Sequence, residues 1–396
     1  MKFDKTIWLY YLANFSTSLQ FILPVWLIFY TVNAGFSVTQ AMILGAVGYF
    51  VSNILEIPTG VVADKYSPKV SYTIGAILIF LASLFYLATP NFWLFLFAEF
   101  IFGFGFALIS GCLESLMFEY LKETKQESDY PKITSNRQSI LFTGRVVASL
   151  SSAMIFLINP ILPFILIGVT HLLSLIFVLN IKIKQIPESE STPKGILFKA
   201  FIRIKEILAI YPLSSVLLVM IFIQTVFMDF YFYSYPLLIK DLNLSFELSG
   251  YVFAFVSVFS ALGSQIYQKY FKDSDLILII IFYVSTILLA VLIAISSVWA
   301  FILALMIQGI CGGFVFPAFN TFWQPKIEKE YRTTLISTFS FVLGVLSTLA
   351  AFMAGFVIDN FGIGYMKMGL LIVMLALVLP LLGWFRLVLR KSKNVV

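Results

Sequence analysis

The chain has 396 residues, of which 60% are hydrophobic and only 12% are charged, and its net charge is +6. A soluble domain carries about 25% charged residues, so this composition excludes a water-facing globular surface. Apolar runs such as 74–88 and 276–295 approach the roughly 20 residues that cross a hydrocarbon core of about 30 Å. The composition therefore predicts an all-α membrane protein.

Polar residues and Pro or Gly punctuation divide the chain into twelve predicted membrane spans. Several breaks are short, such as Asn159-Pro160 and Ser296-Ser297, and short turns indicate helical hairpins. The predicted spans are 7–32, 39–62, 70–89, 92–121, 134–159, 161–181, 212–238, 247–271, 276–295, 298–324, 333–358 and 365–387.

The distribution of Lys and Arg predicts the orientation, because cytoplasmic loops are enriched in basic residues. If the N-terminus is cytoplasmic, all but three of the 26 basic residues belong to the cytoplasmic side. The exceptions are Lys240 and Lys367 on the outer side and Arg145 within a span. We therefore expect a multi-pass protein of the cell membrane with both termini in the cytoplasm.

The longest polar stretch, residues 182–211, separates six predicted spans from six others. Its second part, 194–210, is basic and amphipathic, and such a helix can lie on the anionic inner membrane surface. We expect an N-terminal six-helix bundle at 1–181, a cytoplasmic linker with this helix at 182–211 and a C-terminal six-helix bundle at 212–396. The linker is interpreted as a tether, with a regulatory role as the alternative.

The two predicted bundles carry an internal repeat. Residues 45–64 overlay 250–269 at an offset of 205, and span 4 overlays span 10 at an offset of 206. The second overlay pairs Gly103 with Gly309, Gly105 with Cys311, and Glu114 with Asn320. Duplicated halves recur in secondary transporters, whose substrate site lies near the bilayer midplane at the repeat interface.

The loop between spans 2 and 3 contains the motif Gly60-Val-Val-Ala-Asp64-Lys65-Tyr-Ser-Pro-Lys69. Gly60 can let a neighbouring helix approach closely, Asp64 can cap a helix or pair with a base, and the two lysines hold the loop at the inner surface. The motif resembles the loop signature of the major facilitator superfamily, Gly-x-Leu-Ala-Asp-Arg-x-Gly-Arg-Lys. The shared spans, central loop and repeat extend this resemblance to the whole chain.

The resemblance implies two six-helix bundles related by pseudo-twofold symmetry around a central cavity, with alternating access by rocking of the halves. It also implies that Asp64 helps to latch the halves in the outward-facing state. Glu119 and Arg137 flank the loop between spans 4 and 5, and we expect them to form a cytoplasmic cluster with Asp64. Two features depart from related drug/proton antiporters: Glu99 replaces an Arg of span 4, and span 5 lacks the Pro of many exporters.

Ionisable residues within the predicted spans are candidate functional groups, because a charge near the bilayer centre costs about 2.5–3.5 kcal/mol. Residue counts place Glu114 and Arg145 at similar depth on consecutive antiparallel helices. We expect them to form an ion pair for proton coupling or substrate binding, and a purely structural salt bridge is the alternative. Asn320 adds a polar group at the repeat-equivalent position of Glu114.

Three further acidic residues complete the predicted substrate or coupling set. Asp229 lies in the aromatic segment 227–236. A carboxylate among aromatic rings can bind a lipophilic cation. The alternative is an aromatic belt at the outer interface. Glu99 can exchange a proton with the outer side. The alternative is that it is only solvated in an outer vestibule. Glu56 precedes Pro58 near the cytoplasmic end of span 2, in an inner gate or a structural network.

The sequence has no enzyme signature: its single His is accompanied by neither a nucleotide-binding loop nor a metal-spaced Cys/His cluster. We expect no cofactor, no metal and no nucleic-acid partner. The acidic excess within the spans favours cations or protons as permeants. The leading prediction is a monomeric, proton-coupled exporter of small amphipathic compounds, cationic or neutral. Uptake, movement of a lipid-like substrate and a non-transporting receptor are the alternatives.

Overall fold

The computed structural model describes residues 4–183, 212–271, 274–322 and 329–393, and these ranges contain helices and turns but no β-strand. The predicted all-α fold is thus confirmed. The chain divides into two compact units, Met1–Ser191 with Glu247–Ala254, and Thr192–Phe246 with Phe255–Val396. The amphipathic helix predicted in the linker lies outside the described residues.

The helices up to the linker belong to the first unit. They are α1 (Lys5–Ser18), α2 (Trp26–Ile28), α3 (Val38–Lys65), α4 (Pro68–Leu84), α5 (Phe92–Ile109), α6 (Cys112–Glu123), α7 (Tyr130–Ile158) and α8 (Leu162–Leu179). A π-helical turn, Phe29–Asn33, follows α2, and a 3-10 turn, Phe85–Leu87, follows α4. A second 3-10 turn, Glu127–Asp129, precedes α7.

The helices after the linker are longer on average and carry more internal prolines. They are α9 (Pro212–Asp241), α10 (Leu248–Tyr270), α11 (Asp275–Ala294), α12 (Val298–Phe322), α13 (Lys329–Phe361) and α14 (Ile363–Lys393). In α9 the segments Ser215–Tyr231 and Ser234–Asp241 meet at an angle of 54°. The bend has a physical cause, because Pro236 has no N–H to donate to the carbonyl one turn earlier.

Ten helices in the described ranges are long and apolar enough to cross a membrane, and the bent α9 raises this number to eleven. The predicted span 7–32 is the one without a counterpart among them. The number twelve and the orientation of the termini therefore stay predictions.

The predicted first span, 7–32, is broken instead of continuous. Helix α1 ends at Ser18, and helical structure resumes at Trp26 after a series of turns. Three hydroxyls near the end of α1 bond to carbonyls three or four residues earlier, which competes with helical bonding. Pro24 lies in the turns and cannot donate a backbone hydrogen bond. Hydrophobicity, which predicted this span, does not register these local contacts.

The predicted span 92–121 is also broken, between α5 and α6. Gly111 has φ +71°, which lies in the left-handed region that glycine adopts without a steric cost. Ser110 and Gly111 are both exposed. Because lipid cannot hydrogen-bond the backbone groups that a break frees, such a break is tolerated where it is enclosed by protein or reaches water.

Close helix packing at glycine recurs at repeat-related positions within each unit. A Cβ atom on Gly103 of α5 would lie 2.8 Å from the Cβ of Val51 in α3. A Cβ atom on Gly309 of α12 would lie 2.9 Å from the carbonyl oxygen of Val256 in α10. Val51 and Val256 are 205 positions apart, which is the offset of the repeat. The duplicated sequence thus corresponds to a duplicated helix contact.

Candidate functional site

The carboxylate of Glu99, on α5, is held by two tyrosines from other segments. The Tyr30 hydroxyl donates to Glu99 Oε1 at 2.6 Å, and the Tyr86 hydroxyl donates to the same atom at 2.8 Å. The two hydroxyl oxygens are themselves 2.7 Å apart. Tyr30 lies in the π-helical turn after α2, and Tyr86 lies in the 3-10 turn after α4. Both breaks in regular helix thus serve to aim a hydroxyl at Glu99.

The surroundings of this carboxylate–tyrosine cluster (Glu99, Tyr30 and Tyr86) are apolar and tightly packed. The ring of Phe164 lies 4.3 Å from that of Tyr86, and the ring of Phe95 lies 4.7 Å from it, centroid to centroid. Tyr30 and Tyr86 are buried. Among the described residues, Glu99 has no basic partner, so the two hydroxyls are what stabilises a charge here.

The free oxygen of this carboxylate faces backbone. A Cβ atom on Gly48 of α3 would lie 2.7 Å from Glu99 Oε2. Only a glycine leaves the carboxylate room to reach both tyrosines in this rotamer. Gly48 is therefore part of the cluster, although it contributes no polar side chain.

A second carboxylate of the same predicted span, Glu114, forms an ion pair with Arg137. Arg137 Nε also donates to Asn14 Oδ1 at 2.6 Å, and Asn14 Nδ2 donates to the Tyr10 carbonyl at 2.7 Å. The chain of contacts links α6, α7 and α1. The charges of Glu114 and Arg137 thus compensate each other, and Asn14 accepts a further hydrogen bond from the guanidinium.

The prediction that Glu114 pairs with Arg145 was wrong. The prediction assumed a straight helix through span 4, but the break at Gly111 redirects α6, so residue counts no longer give relative depth. The described contacts of Arg137 are with Glu114 and Asn14. Its cytoplasmic cluster with Glu119 and Asp64 stays a prediction, because the side chain of Asp64 lies outside the described residues. Glu119 is partly buried on α6.

Arg145 stands halfway along α7 and its side chain is exposed. Within the described ranges it has neither an ion-pair nor a hydrogen-bond partner. The adjacent Gly144 is buried, and a Cβ atom there would lie 1.8 Å from Ser18 Oγ. Helix α7 therefore presses on the end of α1 next to an unpaired guanidinium.

Glu56 of α3 packs against the break between α5 and α6. Its partly buried carboxylate accepts a hydrogen bond from the Ser110 hydroxyl. One turn on, Thr59 Oγ1 donates to the Ala107 carbonyl oxygen at 3.0 Å, near the end of α5. These contacts fit the structural-network alternative for Glu56, because they satisfy groups that the break would leave unpaired.

Asp229, in the second unit, accepts a hydrogen bond of 2.6 Å from Ser347 Oγ of α13. Like Glu99, it has no basic partner among the described residues. Those neighbouring aromatic side chains that the structure describes are buried in the unit: Phe227, Phe230, Tyr231 and Tyr235. A belt at the membrane interface would be exposed to headgroups, so these four rings are core residues instead.

The loop motif is described only in part. Gly60 is exposed with nothing within 4 Å of a Cβ atom placed on it, so the close helix approach expected there was wrong. Lys69 Nζ donates to the carbonyl oxygens of Leu179 and Ile181 at 2.8 and 2.9 Å, where a cation also complements the C-terminal end of α8.

Three predicted residues lack a described side chain: Asp64, Lys65 and Asn320. Asp64 and Lys65 belong to the last turns of α3, and Asn320 belongs to α12. The N-terminus of α4 is capped by Ser67, whose hydroxyl accepts from the backbone N–H of Val70. Ser67 thus supplies the cap of α4, which is one of the two roles that the sequence offered for Asp64.

Four contact residues were not selected from the sequence: Tyr30, Tyr86, Asn14 and Ser347. Tyrosines are common in this chain, which has 19, so neither tyrosine stood out. Asn14 carried a usable signal, since an amide within an apolar span needs a partner. The pairing with Arg137 could not be read from spacing, because the two residues are 123 positions apart.

Comparison with known proteins gives a match to a family model and a relative of low sequence identity. The family model described as Major Facilitator Superfamily matches residues 7–283. The uncharacterized MFS-type transporter YxaM of Bacillus subtilis (strain 168) is 27% identical over 235 residues. That alignment covers 58% of this chain and 57% of YxaM, so the chain spans little more than half of the relative it matches.

Solved structures share the fold at low sequence identity. The nucleoside transporter NupG is 14% identical with a TM-score of 0.77, over 97% of this chain and 99% of that structure. The POT family transporter PepTSo is 11% identical with a TM-score of 0.77, over 100% of this chain and 99% of that structure. Identity at this level shows a common fold and leaves the cargo open.

Proposed function

This chain belongs to the major facilitator superfamily, and we propose that it is a proton-coupled exporter of small amphipathic compounds in the cell membrane. A membrane transporter of small molecules follows from the family. Proton coupling, export and a cationic or net neutral cargo are the proposal, with alternating access as the mode of transport.

The carboxylate–tyrosine cluster carries this proposal. A coupling residue must gain and lose a proton within the membrane while the fold persists. Because Glu99 has no described basic partner, protonation removes the net charge of the cluster, and the hydroxyls can still hydrogen-bond a neutral carboxyl group. Protonation of Glu114 would instead leave Arg137 unpaired, which is costly for a partly buried ion pair.

The second unit contributes a similar group. Asp229, hydrogen-bonded to Ser347 alone among its described contacts, can attract the positive part of a cargo molecule. Asn320 remains a proposed cavity residue, whereas the contacts of Glu56 favour its structural alternative over the inner gate. Asp64, Lys65, Lys69 and Glu119 remain the proposed conformational latch.

The test is transport by the full chain in sealed proteoliposomes with a pH-sensitive dye inside and labelled hexyltrimethylammonium as the cationic probe. We expect Glu99→Gln to reduce proton movement linked to the probe at least tenfold, because an amide cannot carry a proton. Exchange of labelled for unlabelled probe, which needs no net proton movement, should persist. Glu127→Gln, which alters an exposed acid before α7, is the matched control.

Three outcomes would contradict the proposal. Parental proton movement in Glu99→Gln, together with its loss in Glu114→Gln, would move the coupling group to the ion pair. The sign of the internal pH change separates export from uptake, because an antiporter moves protons against the probe and a symporter moves them with it. A receptor would move neither.

A further inference from the structure

The exposed Arg145 lies at the centre of one face of α7. Successive residues of an α-helix are rotated by about 100° around the axis, so each position of Tyr130–Ile158 can be placed relative to Arg145. Exposure alone does not say whether the guanidinium faces lipid or an aqueous space. The rest of the helix answers that question.

The second half of α7 has a stripe of exposed apolar side chains. Its members are Val147, Leu150, Met154, Leu157 and Ile158. At about 100° per residue they lie roughly 120–220° around the helix from Arg145, so the centre of the stripe is opposite the guanidinium. An exposed apolar stripe on a membrane helix is the lipid-facing side, and Arg145 therefore faces away from lipid.

The face that carries Arg145 is mostly polar over about four turns. Gln138, Ser149 and Ser152 all fall within about 40° of it, as does the apolar residue Leu141. Gln138 is exposed, and the two serines are buried, with Ser152 Oγ bonded to the Phe21 carbonyl. An arginine that is exposed on the polar face of a membrane helix lines a water-accessible cavity, because exposure to hydrocarbon would cost several kcal/mol.

Arg145 also differs from Arg137, the other arginine of α7, in that its charge is not compensated by a described acid. Arg137, two turns earlier on α7, is neutralised by Glu114, whereas Arg145 has no acidic partner among the described residues. A guanidinium presents five N–H donors in a planar fork that matches carboxylate and phosphate oxygens in pairs. Its missing counter-charge can be supplied by a molecule that enters the cavity.

We infer that Arg145 binds an anionic group of the transported compound, a carboxylate or a phosphate attached to an apolar body. This inference rests on the proposed function and narrows its cargo. A compound that is net neutral and bears an anionic group is a zwitterion. We expect this class to be preferred over a cationic cargo without an acidic group.

The first test concerns the geometry and needs no cargo. In a background in which Cys112 and Cys311 are replaced by Ser, Arg145→Cys should react with a membrane-impermeant charged thiol reagent in proteoliposomes. Val147→Cys, on the apolar stripe of the same helix, is the matched control and should react at least tenfold more slowly. Equal rates for the two variants would place position 145 on the lipid side and overturn the inference.

The second test measures binding by the full chain in dodecyl maltoside, without a proton gradient. The probes share a hexyl chain: hexyltrimethylammonium, its carboxymethyl betaine and hexylphosphocholine. We expect the betaine or the phosphocholine to bind at least tenfold more tightly than the cation, as judged by concentration-dependent thermal stabilisation, and the better of the two identifies carboxylate or phosphate. Arg145→Gln should abolish the preference, Arg145→Lys should retain part of it, and Lys132→Gln, an exposed change on the same helix, should leave it intact.

The two tests separate this inference from the function on which it rests. A preference for the cation, no preference among the probes, or the same preference in Arg145→Gln overturns the role of Arg145 while the proton assay of Glu99→Gln stands. Conversely, a lost anion preference in Arg145→Gln with unaltered proton movement in Glu99→Gln would keep the anion site and remove proton coupling from the carboxylate–tyrosine cluster.

Discussion

Glu99 and Glu114 lie fifteen positions apart in one predicted span, and the fold gives them opposite environments. Glu114 has an arginine, which in turn is tied to Asn14. Glu99 has two tyrosine hydroxyls and no described base. The first arrangement stabilises the charged carboxylate, and the second tolerates either protonation state. The partner of an acid, more than its position along a span, indicates whether it is structural or exchanges protons.

The break at Gly111 is what separates the two environments. It ends α5, which carries Glu99, and begins α6, which carries Glu114 in its first turn. A continuous helix would fix the angle between these two side chains at a value set by the helical repeat. The left-handed residue releases that constraint, so each carboxylate can meet partners from a different set of helices.

The largest expected effect comes from removing the base of the structural pair. Arg137→Gln deletes the ion pair and weakens the contact with Asn14, and it leaves the Glu114 charge uncompensated. A fully buried pair broken in this way costs 3–5 kcal/mol. Because the side chains of Arg137 and Glu114 are 21% and 36% exposed, we expect a lower cost of about 2 kcal/mol in the free energy of unfolding.

Chemical denaturation of the purified chain in detergent measures this effect. Lys132→Gln, on the same helix and exposed, is the control. The double variant Glu114→Gln, Arg137→Gln should recover part of the loss, since it removes the unpaired charge. If Arg137→Gln unfolds at the parental denaturant concentration, the pair contributes nothing to stability and the contrast with Glu99 fails.

A smaller effect is expected from the glycine that makes room for Glu99. In Gly48→Ala the new methyl group would meet Glu99 Oε2 at 2.7 Å, so the carboxylate must rotate and loses a bond to one tyrosine. We expect a loss of about 1–2 kcal/mol and at least a tenfold decrease in proton-linked transport. Gly60→Ala, on the same helix with nothing within 4 Å, should not destabilise the protein. Equal stability of the two variants would show that the carboxylate has room to move.

The smallest effect is expected at the break itself. Gly111→Ala places a Cβ atom in a left-handed conformation, at a cost of about 1 kcal/mol, although no neighbouring atom lies within 4 Å. Gly111→Asn should cost less, because Asn visits this region more readily. Thermal unfolding midpoints of the two variants and the parent provide the measurement. A higher midpoint for Gly111→Ala would mean that span 4 accepts a continuous helix.

The sequence predicted the class, the family and most spans, because these depend on properties that each segment carries by itself. Apolar runs identified helices such as 276–295, found as Leu276–Ala294, and the motif from Gly60 to Lys69 indicated the superfamily that the family model matches over residues 7–283. It also singled out Glu99, Glu114, Arg145 and Asp229 as ionisable residues within spans. Their roles remain proposals.

The partners of those residues were decided by tertiary structure alone. The bilayer acts on each segment through its hydrophobicity, so a span can be recognised locally. A hydrogen bond from Tyr30 to Glu99, or an ion pair from Arg137 to Glu114, depends on where helices break and how they rotate. Hydropathy records neither the left-handed glycine at 111 nor the turns after Ser18, and these two breaks determine which side chains meet.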